Sequence, residues 1–133
     1  MKKTIQNPKN YAKKRLINRK KAFKKGIWAE KIVFLLLMLK GYRVLATRYK
    51  RSVGEVDLIA KKGNVLVFCE VKARKTDQEA AESITLKQRQ RITRAAEYFV
   101  SEHKSYHDHA MRFDAILVSG LFSVRHVKAA WSA

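Results

Sequence analysis

Two short segments constrain the fold more than any others: Gly54-Glu55-Val56-Asp57-Leu58-Ile59-Ala60 and Val67-Phe68-Cys69-Glu70-Val71-Lys72, with the turn-forming Lys62-Gly63-Asn64 between them. Runs rich in β-branched and aromatic residues on either side of such a turn predict a hairpin. Side chains alternate across a strand, so Glu70 and Lys72 share one face with Leu66 and Phe68, while Val65, Val67, Cys69 and Val71 share the other. The second set is a core face. A two-residue turn with Gly63 at its first central position places Asp57 opposite Glu70 and Glu55 opposite Lys72. Taking Lys62-Gly63 as the turn shifts the register but keeps all four polar residues together.

Charged residues on a strand often mark only a solvated face. Here the polar face is apolar near the turn, at Ile59, Leu66 and Phe68, and charged only at its far end. That pattern fits a covered sheet with a polar pocket at one end. Two adjacent carboxylates repel, and without a cation one of them tends to stay protonated. A divalent metal relieves the conflict. With no Cys or His in the cluster, all-oxygen ligation favours Mg2+ or Mn2+ over zinc. Lys72 would then polarise an attacking water or stabilise charge growing on a phosphate.

The order Glu30, Gly54-Glu55-Val56-Asp57, Glu70-Val71-Lys72 resembles the PD-(D/E)XK nuclease superfamily, which includes restriction enzymes and archaeal Holliday junction resolvases. It is more closely similar to the YraN-like family of predicted bacterial endonucleases. The similarity runs from Gly26 to the C-terminus, through Ala29-Glu30, Gly41-Tyr42, residues 54–60 and 68–74, Arg112-Phe113-Asp114 and residues 126–131. It implies an α/β fold with a restriction-endonuclease-like αβββαβ core, a mixed sheet flanked by helices. It also implies Asp57 and Glu70 as metal ligands, with the Val71 carbonyl as a further donor, Lys72 serving the nucleophilic water, and Glu30 as a helix-borne acid. No proline precedes Asp57, a departure that the superfamily tolerates.

Thirty Lys and Arg against 11 Asp and Glu give a formal charge of +19, a field that draws polyanions. Residues 1–25 hold eleven of those basic residues and no acid, so they read as a basic arm, flexible or helical, ahead of one domain over 26–133. Lys24, Lys25, Arg74, Lys87, Arg89 and Arg91 are the candidate contacts to nucleic acid. DNA is the expected partner, with RNA open. The single cysteine, Cys69, reads as buried packing. The apolar run Ile32 to Leu39 is too short to span a bilayer and is bracketed by Lys31 and Lys40, and no secretory signal is evident, so a cytoplasmic protein is expected.

That run forms the second half of a helix expected from Ile27 to Leu39 and ended near Gly41. Apolar residues all round it require burial on more than one side or a homodimer interface. Glu30 projects from its stripe, either as an acid favoured by the helix dipole or in contact with the strand cluster. Strands are expected over 42–48, 55–60, 65–73, 113–119 and 122–127, with a short terminal helix at most. Residues 75–83 read as a mobile loop. Thr85 and Gln88 have capping-box spacing, opening a helix to His103. Gln88 serves as that cap or faces the polar pocket. Arg112 and Asp114 read as a structural ion pair or a contact at the site's edge. His103, His107 and His109 have no second ligand group for zinc, and no glycine-rich phosphate loop is present. The reading is thus a metal-dependent nuclease acting on DNA; the rival is a noncatalytic nucleic-acid-binding module on the same scaffold.

Overall fold

The computed structural model describes residues 7–120 and 123–133, with side chains apart from those of 22–25. Along the chain come α1 (Pro8–Leu39), β1 (Arg43–Arg51), β2 (Gly54–Lys62), β3 (Val65–Arg74), α2 (Asp77–Glu82), α3 (Leu86–Glu102), β4 (Ala110–Ser119) and β5 (Ser123–Trp131). The strands form one sheet in the order β1-β2-β3-β4-β5, antiparallel except for the β3–β4 pair. A parallel step needs a crossover, which α2 and α3 supply. The expected αβββαβ order is present, with α2 added before α3 and β5 added at the sheet edge.

The hairpin lies where alternation and turn chemistry place it. The ladder runs from Lys62↔Val65 to Leu58↔Cys69, and Gly63 adopts φ +57°, the conformation required at the first position of the turn. Both faces of the sheet are covered. On one, Ala29, Val33 and Leu37 of α1 pack on Leu58, Ala60, Val67 and Cys69. On the other, Ile92, Ala95, Ala96 and Phe99 of α3 pack on Ile59, Leu66 and Phe68. Burying both faces removes the hydrophobic residues of β3 from water, which is the main force holding the domain together.

Four expectations require correction. The first helix starts at Pro8, not near Ile27: Asn7 caps it by accepting from the Lys9 amide (3.0 Å), and Pro8 occupies its first turn. Between them and Leu39 the sequence is mostly Lys, Arg, Ala and Leu, which favour helix, and Gly26 does not break it. Of the two alternatives for the apolar half, burial on several sides fails, because Trp28, Leu35, Met38 and Leu39 face solvent, which leaves the homodimer interface as the remaining expectation. Residues 75–83 are not a loop: Thr76 caps α2 through the Glu79 amide (3.1 Å), and Ala80 is buried. The last strand continues to Trp131, with Ala129 at φ +51° and the Trp131 ring stacked 5.7 Å from Phe113, and no terminal helix follows. Its expected start at Phe122 lies outside the described residues.

Other local readings hold. At the end of α1, Gly41 (φ +87°) donates to Met38 O (3.0 Å) and Tyr42 donates to Leu37 O (2.9 Å), satisfying carbonyls that the helix leaves open. Among the described residues no helix is long and apolar enough to cross a membrane.

Candidate metal and phosphodiester site

Beyond Leu58↔Cys69 the regular ladder stops, and Asp57 and Glu70 are the next residues in that register. Asp57 substitutes a side-chain bond for the ladder: its Oδ2 accepts from the Val71 amide at 2.8 Å. Across the sheet, the register also omits Arg48, which sits at φ +50° in β1. Its Nε donates to Glu30 Oε2 at 2.8 Å, tying α1 to this edge of the sheet. The charged cluster therefore stands where β2 departs from regular pairing on both sides.

Glu55, Asp57, Glu70, Lys72, Gln88 and Arg91 line one cavity of about 290 Å³. Lys72 Nζ is 3.1 Å from Glu70 Oε1, and both side chains are largely enclosed. Asp57 and Glu70 line the same cavity and stand close enough for each to act on the other's titration. Burial, then the charge of Asp57, pushes Glu70 up to about 7 despite the neighbouring Lys72. Burial likewise raises Asp57, and the Glu30 carboxylate adds to it, against the lowering effect of the Val71 amide. Two acids that resist ionisation side by side are the electrostatic condition that a cation resolves.

The donor set fits a hard ion of the magnesium type. Such ions take one or two protein carboxylates and complete their shell with water and phosphate oxygens. Among the described residues no three His, Cys, Asp or Glu side chains gather as a full cage, and Glu30 is engaged by Arg48. Glu30 instead lines a neighbouring cavity of about 360 Å³ with Arg48, Glu55 and Asp57, so Asp57 is reached from both cavities.

The third helix is held over the site by close backbone approach. A Cβ placed on Gly54 would stand 1.9 Å from the Arg91 carbonyl oxygen, so only glycine lets α3 come this near to β2. Gln88 fills both of its expected roles. Its amide donates to Thr85 Oγ1 (3.1 Å), its Oε1 accepts from the Thr85 amide (3.3 Å), and the side chain also lines the cavity. The basic candidates divide. Arg91 enters the cavity; Lys87 and Arg74 are exposed, and Arg74 donates to its own neighbour's carbonyl at Ala73 (2.7 Å). Arg89 turns instead toward Trp131, with its guanidinium carbon 5.9 Å from the ring centroid, and lines a different cavity. The Lys24 and Lys25 side chains lie outside the described residues.

Arg112 and Asp114 form the structural ion pair, on the α1 face of the sheet. Two Arg112 nitrogens donate to Asp114 at 2.8 Å each, while His126 Nε2 donates at 2.6 Å and the Ala129 amide at 3.0 Å. Burial alone would raise Asp114, but the bonds from His126, Arg112 and Ala129 hold it at about 2. Lys40 Nζ reaches His126 Nδ1 (3.3 Å), and Arg112 also donates to the Tyr42 hydroxyl (2.8 Å). Sequence reasoning did not find the His126 and Lys40 contributions, because they depend on β5 pairing with β4 in this register. Burial also pushes the Cys69 thiol well above its ordinary range, as packing on the core face requires.

Similar proteins occur in several bacteria. The chain is 43% identical over 112 residues to the UPF0102 protein bll0669 of Bradyrhizobium diazoefficiens, covering 84% of each chain. It is 44% identical over 113 residues to the UPF0102 protein Mmar10_3014 of Maricaulis maris, covering 85% of this chain and 89% of that one. A UPF0102 protein of Azorhizobium caulinodans is 44% identical over 110 residues, or 83% of this chain and 84% of that one. The family's sequence profile matches residues 29–118, a span that contains Glu30, Asp57, Glu70, Lys72 and the whole of α3. The chain belongs to the uncharacterised protein family UPF0102.

Proposed function

We propose that this protein is a divalent-metal-dependent nuclease that hydrolyses phosphodiester bonds in DNA. The observation that carries the reading is the enclosed Asp57–Glu70 carboxyl pair with Lys72 Nζ 3.1 Å from Glu70. Asp57 and Glu70 would hold Mg2+ or Mn2+, and a bound ion of this kind activates water and offsets charge on a phosphate oxygen. Lys72, fixed by Glu70, presents an ammonium to the cavity where it orients the nucleophilic water or stabilises the phosphate. The Val71 amide holds Asp57 in position. Glu30 contributes from α1, its orientation set by Arg48. Arg91 supplies a cation at the cavity rim for a substrate phosphate.

A second reading, a noncatalytic nucleic-acid-binding module, is favoured by the charge of +19, which draws polyanions without any catalytic site. Lys72→Ala separates the two. On the nuclease reading the substitution abolishes cleavage of labelled DNA in Mn2+ while DNA affinity stays within a few-fold, since backbone contacts from many other cations dominate binding. Cleavage by Lys72→Ala at the wild-type rate would remove the lysine from the mechanism.

A further inference from the structure

Residues 8–21 of α1 form a helical stretch that packs on none of the other described residues. From Pro8 to Lys21 every residue is exposed, and none belongs to the core that Ala29, Val33 and Leu37 enter. This stretch carries seven basic residues and no acid, and none of the seven is paired with a carboxylate among the described residues. A lone helical segment of that length is marginal in water, and like charges three and four residues apart weaken it further. A partner that neutralises it therefore completes it.

The distribution of charge around the axis says what shape that partner has. At about 100° per residue, Lys9, Lys13 and Lys20 lie on one side, Lys14 and Lys21 roughly a third of a turn from them in one direction, and Arg15 and Arg19 roughly a third of a turn in the other. A helix that lies on a bilayer keeps its basic residues on one face and apolar residues on the other. Here the cations surround the helix, with Tyr11, Leu16 and Ile17 scattered among them. Negative charge on more than one side is what the walls of a nucleic-acid groove offer. The major groove of B-form DNA, about 12 Å wide, admits an α-helix, whereas the A-form major groove of duplex RNA is deep and narrow.

We propose that residues 8–21 of α1 dock as a helix in the major groove of duplex DNA and hold that duplex to the domain. This deepens the nucleic-acid part of the function proposed above and rests on DNA being the partner, but it makes no use of catalysis. Arg15 and Arg19 project on the same side of α1 as Ala29, Val33 and Leu37, so a duplex seated on that side is led toward the sheet.

The test measures binding of the full chain, in EDTA, to a fluorescent DNA duplex, to duplex RNA of the same sequence and to vesicles containing anionic lipid, across a salt series. Three variants are compared: Lys9→Gln/Lys13→Gln/Lys20→Gln, Arg15→Gln/Arg19→Gln, and Asn18→Pro, which interrupts the helix and keeps every charge. The expected result is tighter binding to DNA than to RNA or vesicles. Both glutamine variants should lose affinity and flatten the slope of log K against log salt, by about 0.9 for each phosphate that is no longer neutralised. Asn18→Pro should bind more weakly than wild type while the domain melts unchanged. If one glutamine set binds like wild type, the docking is one-sided and the groove is wrong. Wild-type affinity in Asn18→Pro would make the segment a disordered tether, and equal binding to duplex RNA or to vesicles would also overturn the proposal. Because no metal is present, these failures leave the nuclease reading to its own cleavage assay, and a protein that never cuts leaves the groove measurement intact.

Discussion

Among single residues, Glu70 offers the sharpest test of a metal site. Held at about 7 in the fold against 4.5 in an unfolded chain, it keeps its proton in the native state over a range where the unfolded chain has lost it. The native state binds more protons there, so this group makes stability fall as pH rises from about 4.5 to about 7. A cation replaces that proton. Mn2+ should therefore raise the melting temperature at pH 8 and have little effect at pH 5, and Glu70→Gln should abolish the difference in thermal-shift measurements. Equal stabilisation at both pH values would place the ion elsewhere. Asp114 behaves in the opposite sense. Lowered from 3.8 to about 2, it stabilises the fold above pH 4 and loses that contribution as pH falls toward 2. Asp114→Ala leaves Arg112 without its buried partner, and the expected cost is about 3–5 kcal/mol by denaturant unfolding. A loss below about 1 kcal/mol would mean that water replaces the carboxylate at that site.

At the scale of elements, the contact between α3 and β2 decides whether the site is assembled. Gly54→Ala drives a methyl into the Arg91 carbonyl, and overpacking of this kind costs about 1–3 kcal/mol. Displacing the start of α3 also shifts Gln88 and Arg91 away from Glu70, so activity should fall more than stability accounts for. Unaltered melting and unaltered turnover would show that α3 is not pressed against β2. The hairpin and both of its faces were legible because strand alternation and a Gly63-Asn64 turn are local signals, and the same holds for the Thr85–Gln88 cap and the Gly41 stop. What escaped was of two kinds. Local signals outweighed by composition hid α1 and α2: Asn7-Pro8 and Thr76 with Glu79 are capping patterns, but surrounding charge suggested arm and loop. Features made between neighbouring elements had no local signal at all. The positive φ of Arg48, its bond to Glu30 and the His126–Asp114 contact depend on which strands lie side by side. The resemblance to a nuclease family supplied the grouping of Glu30 with Asp57, and geometry adds that Arg48 holds Glu30 beside it rather than in the same cavity as Glu70.

For the whole molecule, the sheet separates two jobs. Its α1 face closes around Cys69 and the Arg112–Asp114–His126 network, which ties β4 to β5. The carboxyl-terminal half of β3, before the crossover into α2, opens into the cavity that holds Asp57, Glu70 and Lys72. Ligand sites beyond the carboxyl ends of strands are a general consequence of crossover connections. Arg91 lines that cavity, and Arg48 and Lys50 line the adjoining one that also reaches Asp57, so a phosphate backbone meets cations from α3 and β1 beside the acids. The most direct measurement of a metal-dependent nuclease is cleavage of linear, single-stranded, flapped and four-way-junction DNA by the full chain with Mn2+ or Mg2+, beside Asp57→Ala. The predicted result is metal-dependent strand scission of at least one substrate, abolished in EDTA and in Asp57→Ala while DNA binding persists. Scission that survives Asp57→Ala, or DNA bound tightly and left uncut in every metal, would contradict it.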